Sequence, residues 1–388
     1  MAVDLVGTHH WPAQQRVITG VPFADAMMEE VARATAKRVF ITTTRSLTDG
    51  KIVANATEAL GSRIAGKFAA IGAHSPRASV MDCLDAVRAA KPDLLVAIGG
   101  GSVIDATKVV LIGYWNGVNV ASDLDAFAGI PVDASAWDDD PQRLRMIAIP
   151  TTLSAAEFYH LAGVTDTARQ IKESFQHPLA VPKTIILDAA ATLETPMALL
   201  LFTGMRAVDH AVESWCAART TPMADTTSLH AMRMLATSLR AIHADPTNLA
   251  ARLEAQVAMW ISRISTMGGV PHGASHGLGY LLGVLKGVPH DITSCITLHA
   301  VLRWNAMVNA ERQREVAKAF GNAGQLGGAA VEQFVRGLGL PSRLSQIGIA
   351  ATDIPMIAAR YDGTGPIKMN PRPVHGPADL IEILSLAA

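Results

Sequence analysis

The sequence predicts two halves of different class: a parallel sheet covered by helices over residues 1-195, and an all-helical domain over residues 196-388. Three observations carry this. Strand-like and helix-like segments alternate through the first half, which is the pattern of a parallel sheet with crossover helices. The pattern turns almost wholly helical beyond Thr195-Pro196, a helix start with Pro at the first helical position. An apolar run, Leu94 to Ile98, also opens directly into Gly99-Gly100-Gly101-Ser102-Val103-Ile104-Asp105-Ala106-Thr107-Lys108, the junction of a buried strand with a helix.

Taken in order, Pro22 to Lys37 reads as a helix and Arg38 to Thr43 as a β-branched strand. Lys51 to Ile71 and Ser79 to Ala90 read as helices, Leu94 to Ile98 as a strand, and Ser102 to Ile112 as a helix. Arg145 to Pro150 and Thr184 to Leu187 read as two further strands. Asn116 to Arg143 reads as a loop, and its acidic run Trp137-Asp138-Asp139-Asp140 as a solvated part of it. In the second half, Leu229, Met232, Leu235, Leu239 and Ile242 make one helical stripe. Leu249, Leu253, Val257, Trp260, Ile261 and Ile264 make another, and both are expected in the core.

At 388 residues, 49% apolar and 17% charged, the chain is long enough for two cores. A net charge of −1 with no basic block argues against a nucleic-acid partner. Cys83, Cys216 and Cys295 are too few and too scattered for a disulfide framework, and read as buried thiols of a reducing compartment. Met1-Ala2-Val3-Asp4 has no signal-peptide pattern, and no apolar run reaches the roughly 20 residues of a membrane helix. The expectation is a soluble cytoplasmic protein.

Glycines at the end of a buried strand let the backbone approach a ligand, and the following helix aims free N–H groups and its positive dipole end there. That is a phosphate site. Asp105 and Lys108 follow on the helix, and Thr151-Thr152 end the next strand on the ligand edge of a parallel sheet. The second constellation is rich in histidine. His272 and His276 are four apart and are expected on one helix face, flanked by Gly273, Gly277 and Gly279. His290 follows after a loop containing Gly283 and Gly287, and His210 lies on the helix that begins after Thr195. Neutral imidazoles suit iron, zinc and similar ions.

In this order and spacing the segments resemble the iron-type (group III) alcohol dehydrogenases, near the maleylacetate reductase-like branch. The likeness runs nearly end to end. It includes the Gly99–Lys108 segment, Pro150-Thr151-Thr152, Glu157, Val164-Thr165-Asp166, Ile186-Leu187-Asp188, Thr203-Gly204-Met205, His210-Ala211-Val212-Glu213, the histidines, Leu340-Pro341-Ser342-Arg343-Leu344 and Asn370-Pro371-Arg372-Pro373. It implies a Rossmann-like N-terminal domain, a C-terminal helical domain and the dehydroquinate synthase-like fold. It implies NAD(P)H as cofactor, a divalent metal (iron or zinc), an alcohol, aldehyde or keto acid substrate, and a homodimer. Cofactor contacts fall on Gly99, Gly100, Gly101, Ser102, Asp105, Thr151, Thr152, Ser154 and Lys172. The family's ribose-binding Asp is replaced by Thr43-Thr44-Arg45, so Thr44 and Arg45 remove repulsion of a 2′-phosphate and add attraction. Metal ligands fall on His210, His272 and His290, and the proton-relay position on His276.

One departure matters. The family's fourth ligand, an Asp one turn before the first His, is Arg206 here. A guanidinium about 5 Å from a divalent cation would be repelled by about 7 kcal/mol at an effective dielectric of about 20. Asp209 cannot replace the missing ligand, since adjacent helical residues point about 100° apart. Two mechanisms follow for one hydride transfer. Either a metal on three histidines polarises the substrate oxygen, or Arg206 and the imidazoles supply the positive charge and the proton. The guanidinium would also take a substrate carboxylate bidentately. A dehydroquinate synthase-type lyase and a non-catalytic nucleotide-binding module are the rival classes.

Overall fold

The computed structural model describes residues 2–3, 13–130, 143–169 and 171–388, with the backbone alone at positions 2, 3 and 290. The acidic run at 137–140 lies outside them. The chain forms two compact units. One comprises residues 11–196, and the other Met197–Ala388 together with the N-terminal strand β1 (Ala2–Val3). β1 pairs in parallel with β10 (Arg219–Thr220).

The first unit is built on a six-stranded parallel sheet. In chain order its strands are β2 (Arg16–Thr19), β3 (Val39–Thr42), β4 (Ile64–Phe68), β5 (Leu94–Gly99), β6 (Met146–Pro150) and β9 (Thr184–Leu187). Across the sheet they run β2-β9-β6-β5-β3-β4. β5 reads as a continuous apolar run because both of its faces are covered. Leu94, Val96 and Ile98 pack with α1 (Phe23–Arg33) and α2 (Lys51–Leu60). Leu95 and Ala97 pack with α3 (Arg77–Ala90) and α4 (Gly101–Trp115). An antiparallel hairpin, β7 (Leu161–Asp166) with β8 (Ile171–Gln176), stands apart from the sheet.

The helix expected over Lys51 to Ile71 is corrected. It stops at Leu60 because Gly61 takes φ +53°, and the chain then forms β4. β4 escapes a pattern search because Gly66 stands mid-strand, where a side chain would lie 2.7 Å from Cε2 of Phe40. The helix expected to reach Lys37 ends at Arg33, with Thr35 left-handed just beyond it.

The second unit is helical: α5 (Met197–Cys216), α6 (Pro222–Ala244), α7 (Leu249–Met267), α8 (Ala274–Lys286), α9 (His290–Ala319), α10 (Gly327–Gly337), α11 (Ile354–Ala358) and α12 (Pro377–Ser385). Met232, Leu235, Leu239 and Ile242 of α6 are in the core as expected, whereas Leu229 near its start is half-buried. The stripe on α7 is not. Leu249 is 46% exposed, and Leu253, Val257, Trp260, Ile261 and Ile264 are half-buried. The buried face carries Arg252, Gln256, Ser262 and Arg263 among alanines and Met259. α7 is turned about its axis relative to the reading from its apolar periodicity. No helix among the described residues is long and apolar enough to cross a membrane.

Candidate active site

In the sheet unit the predicted nucleotide residues gather at one edge. β3, β5 and β6 are adjacent, and all three end there, at Thr42, Gly99 and Pro150. Gly100 is the N-cap of α4 and provides no side-chain cap. A Cβ on Gly100 would lie 2.8 Å from Cγ2 of Thr152, so the strand-end turn closes on the Thr151-Thr152 loop through backbone alone. The Thr151 N–H donates to Gly99 O (3.1 Å), which ties the two loops together. A 15-residue helix whose first turn lacks a side-chain cap, behind a turn with no room for a side chain, fits an anionic pyrophosphate. Thr44 and Arg45 follow β3, where Thr44 is the N-cap of a short 3₁₀ turn, Arg45–Leu47.

Two of the predicted contacts also serve the fold. Asp105 accepts from Lys108 Nζ (3.0 Å) and from the Gly163 N–H (3.0 Å), which pins the hairpin to α4. Ser102 Oγ accepts from the His74 N–H (3.0 Å), and its carbonyl accepts from Ser75 Oγ (2.7 Å). His74 and Ser75 both have positive φ, so Ser102 holds a strained turn. Lys172 lies across Gly163, where an added Cβ would meet its Cε at 2.6 Å. Ser154 Oγ lies 3.4 Å from Oγ1 of Thr152.

In the helical unit, one nitrogen from each of His210, His272 and His276 falls within 4.8 Å of the others. The His272 and His276 rings stack at 3.7 Å and 3°. They do not share a helix, contrary to the i, i+4 expectation. α8 starts at Ala274, and extended Gly273 lets His272 fold back from the preceding coil. Gly283, expected in a loop, lies inside α8. His290 opens α9, and its side chain lies outside the described residues.

Behind the imidazoles stand two buried carboxylates. Glu213 accepts from the backbone N–H groups of Gly273 (2.8 Å) and Ser275 (2.7 Å), which caps α8 with an acid. Its Oε2 is also 2.7 Å from Nδ1 of His276. Asp209 Oδ2 accepts from Ser294 Oγ (2.7 Å) and Ser275 Oγ (3.0 Å). Burial raises the pKa of both acids. Asp209 pushes Glu213 further in that direction, and Arg206 partly opposes the rise at both. Arg206, 5% exposed, donates to Ser294 Oγ (3.0 Å) and lies 3.6 Å from Asp209 Oδ2. Arg263, 7% exposed, brings Nη1 to 3.0 Å from His272 Nε2. Burial, then Arg263, then Arg206 depress the His272 pKa well below its ordinary value.

Glu213 and Asp209 were visible only as neighbours of His210 in the sequence. Arg263 gave no signal, because the apolar stripe of α7 directed attention to the opposite face. The donor set tests the metal directly. A divalent cation needs imidazole lone pairs and counter-charge. Here the carboxylate position holds a guanidinium, and a second guanidinium faces the Nε2 lone pair of His272. As arranged, the guanidinium groups of Arg206 and Arg263 oppose a divalent cation on His210 and His272, although Asp209 and Glu213 stand close by.

Residues 14–189 match the family model described as iron-containing alcohol dehydrogenase, and residues 200–387 match the C-terminal model of the Fe-containing alcohol dehydrogenase family. Dehydrogenase ALT3 of Alternaria alternata is 30% identical over 369 residues, covering 86% of this chain and 94% of its own length. Maleylacetate reductase 1 of Cupriavidus pinatubonensis is 26% identical over 373 residues, 96% and 94% of the two chains. The structure of sulfoacetaldehyde reductase from Bifidobacterium kashiwanohense in complex with NAD⁺ superposes with a TM-score of 0.85 at 20% identity, covering 99% of each chain. The fold, with its parallel-sheet unit and helical unit, is that of NAD(P)-dependent oxidoreductases. The chain belongs to the iron-containing alcohol dehydrogenase family, whose members use NAD(P)H and a divalent metal.

Proposed function

We propose that this chain moves a hydride between NAD(P)(H) and the carbonyl carbon of a small alcohol, aldehyde or keto acid, with His276 exchanging the proton at the substrate oxygen and Arg206 in the role the family gives to a metal. NAD(P)H, when bound, supplies the hydride. Gly99, Gly100, Gly101, Ser102, Thr151, Thr152 and Ser154 take its pyrophosphate, and Lys172 adds a positive charge. Thr44 and Arg45 stand where a ribose-binding carboxylate would repel a 2′-phosphate, so NADPH is accepted.

The observation that carries this reading is the 2.7 Å contact between His276 Nδ1 and Glu213 Oε2. Glu213 is held by two backbone N–H groups, and through Nδ1 it orients the ring for proton exchange at Nε2. Glu213 is thus a positioning residue and His276 the catalytic one. Arg206 is buried one helical turn before His210 on α5 and supplies fixed positive charge where an alkoxide develops. A metal on His210, His272 and His290 is the second reading, favoured by the approach of His210 and His272, which with His276 bring one nitrogen each within 4.8 Å of one another. It requires Arg263 to leave His272.

Cys83, Cys216 and Cys295 are free and buried, which supports a reducing, cytoplasmic setting. The half-buried apolar stripe of α7 supports a homodimer.

The test is absorbance at 340 nm with NADPH and NADH against a panel of aldehydes, using chelator-treated full-length protein. Turnover is expected without metal. His276→Asn should lower kcat by about 10² to 10⁴, and Glu213→Gln by about tenfold with little change in KM. Stoichiometric iron or zinc whose removal abolishes activity would overturn the metal-free reading. Equal kcat in His276→Asn would overturn the proton role.

A further inference from the structure

Asn370 brings an amide to the first turn of α8, the helix that carries His276. Pro371 bars Asn370 from the helical region, so the 3₁₀ turn Pro366–Met369 ends in an extended Asn370 (φ −61°, ψ 139°). Asn370 is buried, and so is Asn305 of α9. Their amides pair reciprocally. Asn305 Nδ2 donates to Asn370 Oδ1 (3.0 Å), and Asn370 Nδ2 donates to Asn305 Oδ1 (2.8 Å). Asn370 Nδ2 also donates to Arg372 O (2.7 Å). A flipped amide would set an oxygen against that carbonyl, so Arg372 O decides which way Asn370 faces. The Arg372 side chain donates to Trp304 O (3.0 Å) and lies 3.8 Å from the Trp304 ring centroid, which fastens the segment to α9.

The oxygen so oriented faces α8. Asn370 Oδ1 accepts from the Ala274 N–H at 3.4 Å, while Glu213 accepts from the N–H groups on either side, Gly273 and Ser275. Gly273 is the N-cap and offers no side chain, so three successive N–H groups at the start of α8 are taken by side chains from α5 and from residue 370. A Cβ on Gly273 would lie 3.0 Å from Glu213 Oε1 and 3.4 Å from Asn370 Oδ1, so the two oxygens converge there. Glu213, Gly273, Asn305 and Asn370 line one small cavity. Beyond His276, a Cβ on Gly277 would lie 2.9 Å from the Ile367 nitrogen. The 367–370 stretch thus meets α8 both before and after His276.

We propose that Asn370, oriented by Asn305, is a second positioning residue: it sets the first turn of α8 and with it the His276 ring that Glu213 orients. The proposal rests on the reading of His276 as the proton-exchanging residue. A neutral amide suits the place. Asp209 and Glu213 already bring two acids close to His276, and a third carboxylate would add another buried charge. An amide oxygen takes the N–H without one.

The experiment uses the full-length protein and NADPH oxidation with the aldehyde panel. Wild type, Asn370→Leu, Asn305→Leu, His276→Asn and the double variant Asn370→Leu/His276→Asn are compared. Circular dichroism and the melting temperature establish that each is folded. Asn370→Leu should lower kcat by about tenfold with KM little changed. Asn305→Leu should lower it less, because Arg372 O still orients Asn370. In the His276→Asn background Asn370→Leu should cost little more, since residues that act on one ring are not additive. Peptide-level amide exchange over residues 273–279 should quicken by about tenfold in Asn370→Leu, with α6 unchanged. If Asn370→Leu does not fold, Asn305→Leu carries the same cycle.

A kcat loss of equal size in the wild-type and His276→Asn backgrounds makes Asn370 a structural residue and overturns the proposal. Unchanged kcat in Asn370→Leu overturns it too, whatever the exchange shows. In both cases turnover by the wild-type protein leaves the oxidoreductase reading standing. No turnover of any aldehyde by the wild-type protein, or full kcat in His276→Asn, sinks the reading of the site itself, and the role of Asn370 at His276 falls with it.

Discussion

The two units bury positive charge in opposite ways. In the sheet unit, Lys108 is fully buried, and its Nζ meets Asp105 Oδ1, Ala156 O and Leu161 O at 2.8–3.0 Å. An ammonium has three donors, and all three are satisfied by groups that tie α4 to the loop and hairpin after β6. In the helical unit, Arg206 and Arg263 are buried beside three imidazoles and two carboxylates whose protonation burial has shifted. A charge whose donors are all taken by the fold is an element of structure. Charges gathered against titratable rings mark chemistry. The segment Asp105-Ala106-Thr107-Lys108 therefore belongs as much to the fold as to the cofactor.

That contrast can be broken by removing one cation from each unit. Lys108→Met leaves Asp105 with the Gly163 N–H alone and takes one donor from the carbonyls of Ala156 and Leu161. Removing one member of a buried pair costs about 3 to 5 kcal/mol. A urea titration should show a loss of that size, and a loss below about 1 kcal/mol would deny Lys108 its structural role. Arg206→Met is expected to act the other way. It removes a hydrogen bond to Ser294, worth about 1 kcal/mol, and a loose 3.6 Å contact with Asp209. Asp209 already has a raised pKa, and without Arg206 it takes up a proton rather than staying buried and charged. Stability should thus fall by less than half the Lys108→Met loss, while NADPH oxidation with any aldehyde drops by about 10² or more. Equal destabilisation by the two substitutions would erase the distinction between them.

Legibility in the sequence divides along the same line. β5, β6 and β9 were readable because continuous, largely apolar runs belong to strands buried on both faces. β4 was hidden by Gly66, and β2 and the hairpin by their half-buried, mixed composition. The glycine turn was readable because its requirement is local: a backbone with no Cβ before a helix. The histidine cluster was half readable. Residue types and spacing brought out His210, His272 and His276. The tautomer of His272, the cap that Glu213 provides and the approach of Arg263 depend on how α5, α7 and α8 pack. The apolar periodicity of α7 pointed to the wrong buried face, because burial of polar groups at a site overrode the hydrophobic pattern.

The smallest expected effect asks whether the sheet unit, too, contains a titrating group that matters to stability. His177 follows β8, and its Nδ1 accepts from the Leu179 N–H at 3.1 Å, with the Trp115 ring 4.9 Å away. An imidazole nitrogen that accepts carries no proton, so the cap requires neutral His177. Burial, then Arg143 and Arg145, push its pKa from 6.5 down to about 4. In that interval the unfolded chain binds a proton that the folded chain does not, so stability falls as pH falls from about 6.5 towards 4. His177→Asn keeps a side-chain oxygen able to accept from Leu179 and has nothing to titrate. Urea midpoints measured from pH 7.5 to pH 4 should therefore converge or cross, with the wild-type protein losing more on acidification. The carboxylates common to both proteins cancel in the difference. If that difference stays constant across the range, His177 is not protonated on unfolding, and the charges of the sheet unit are structural throughout.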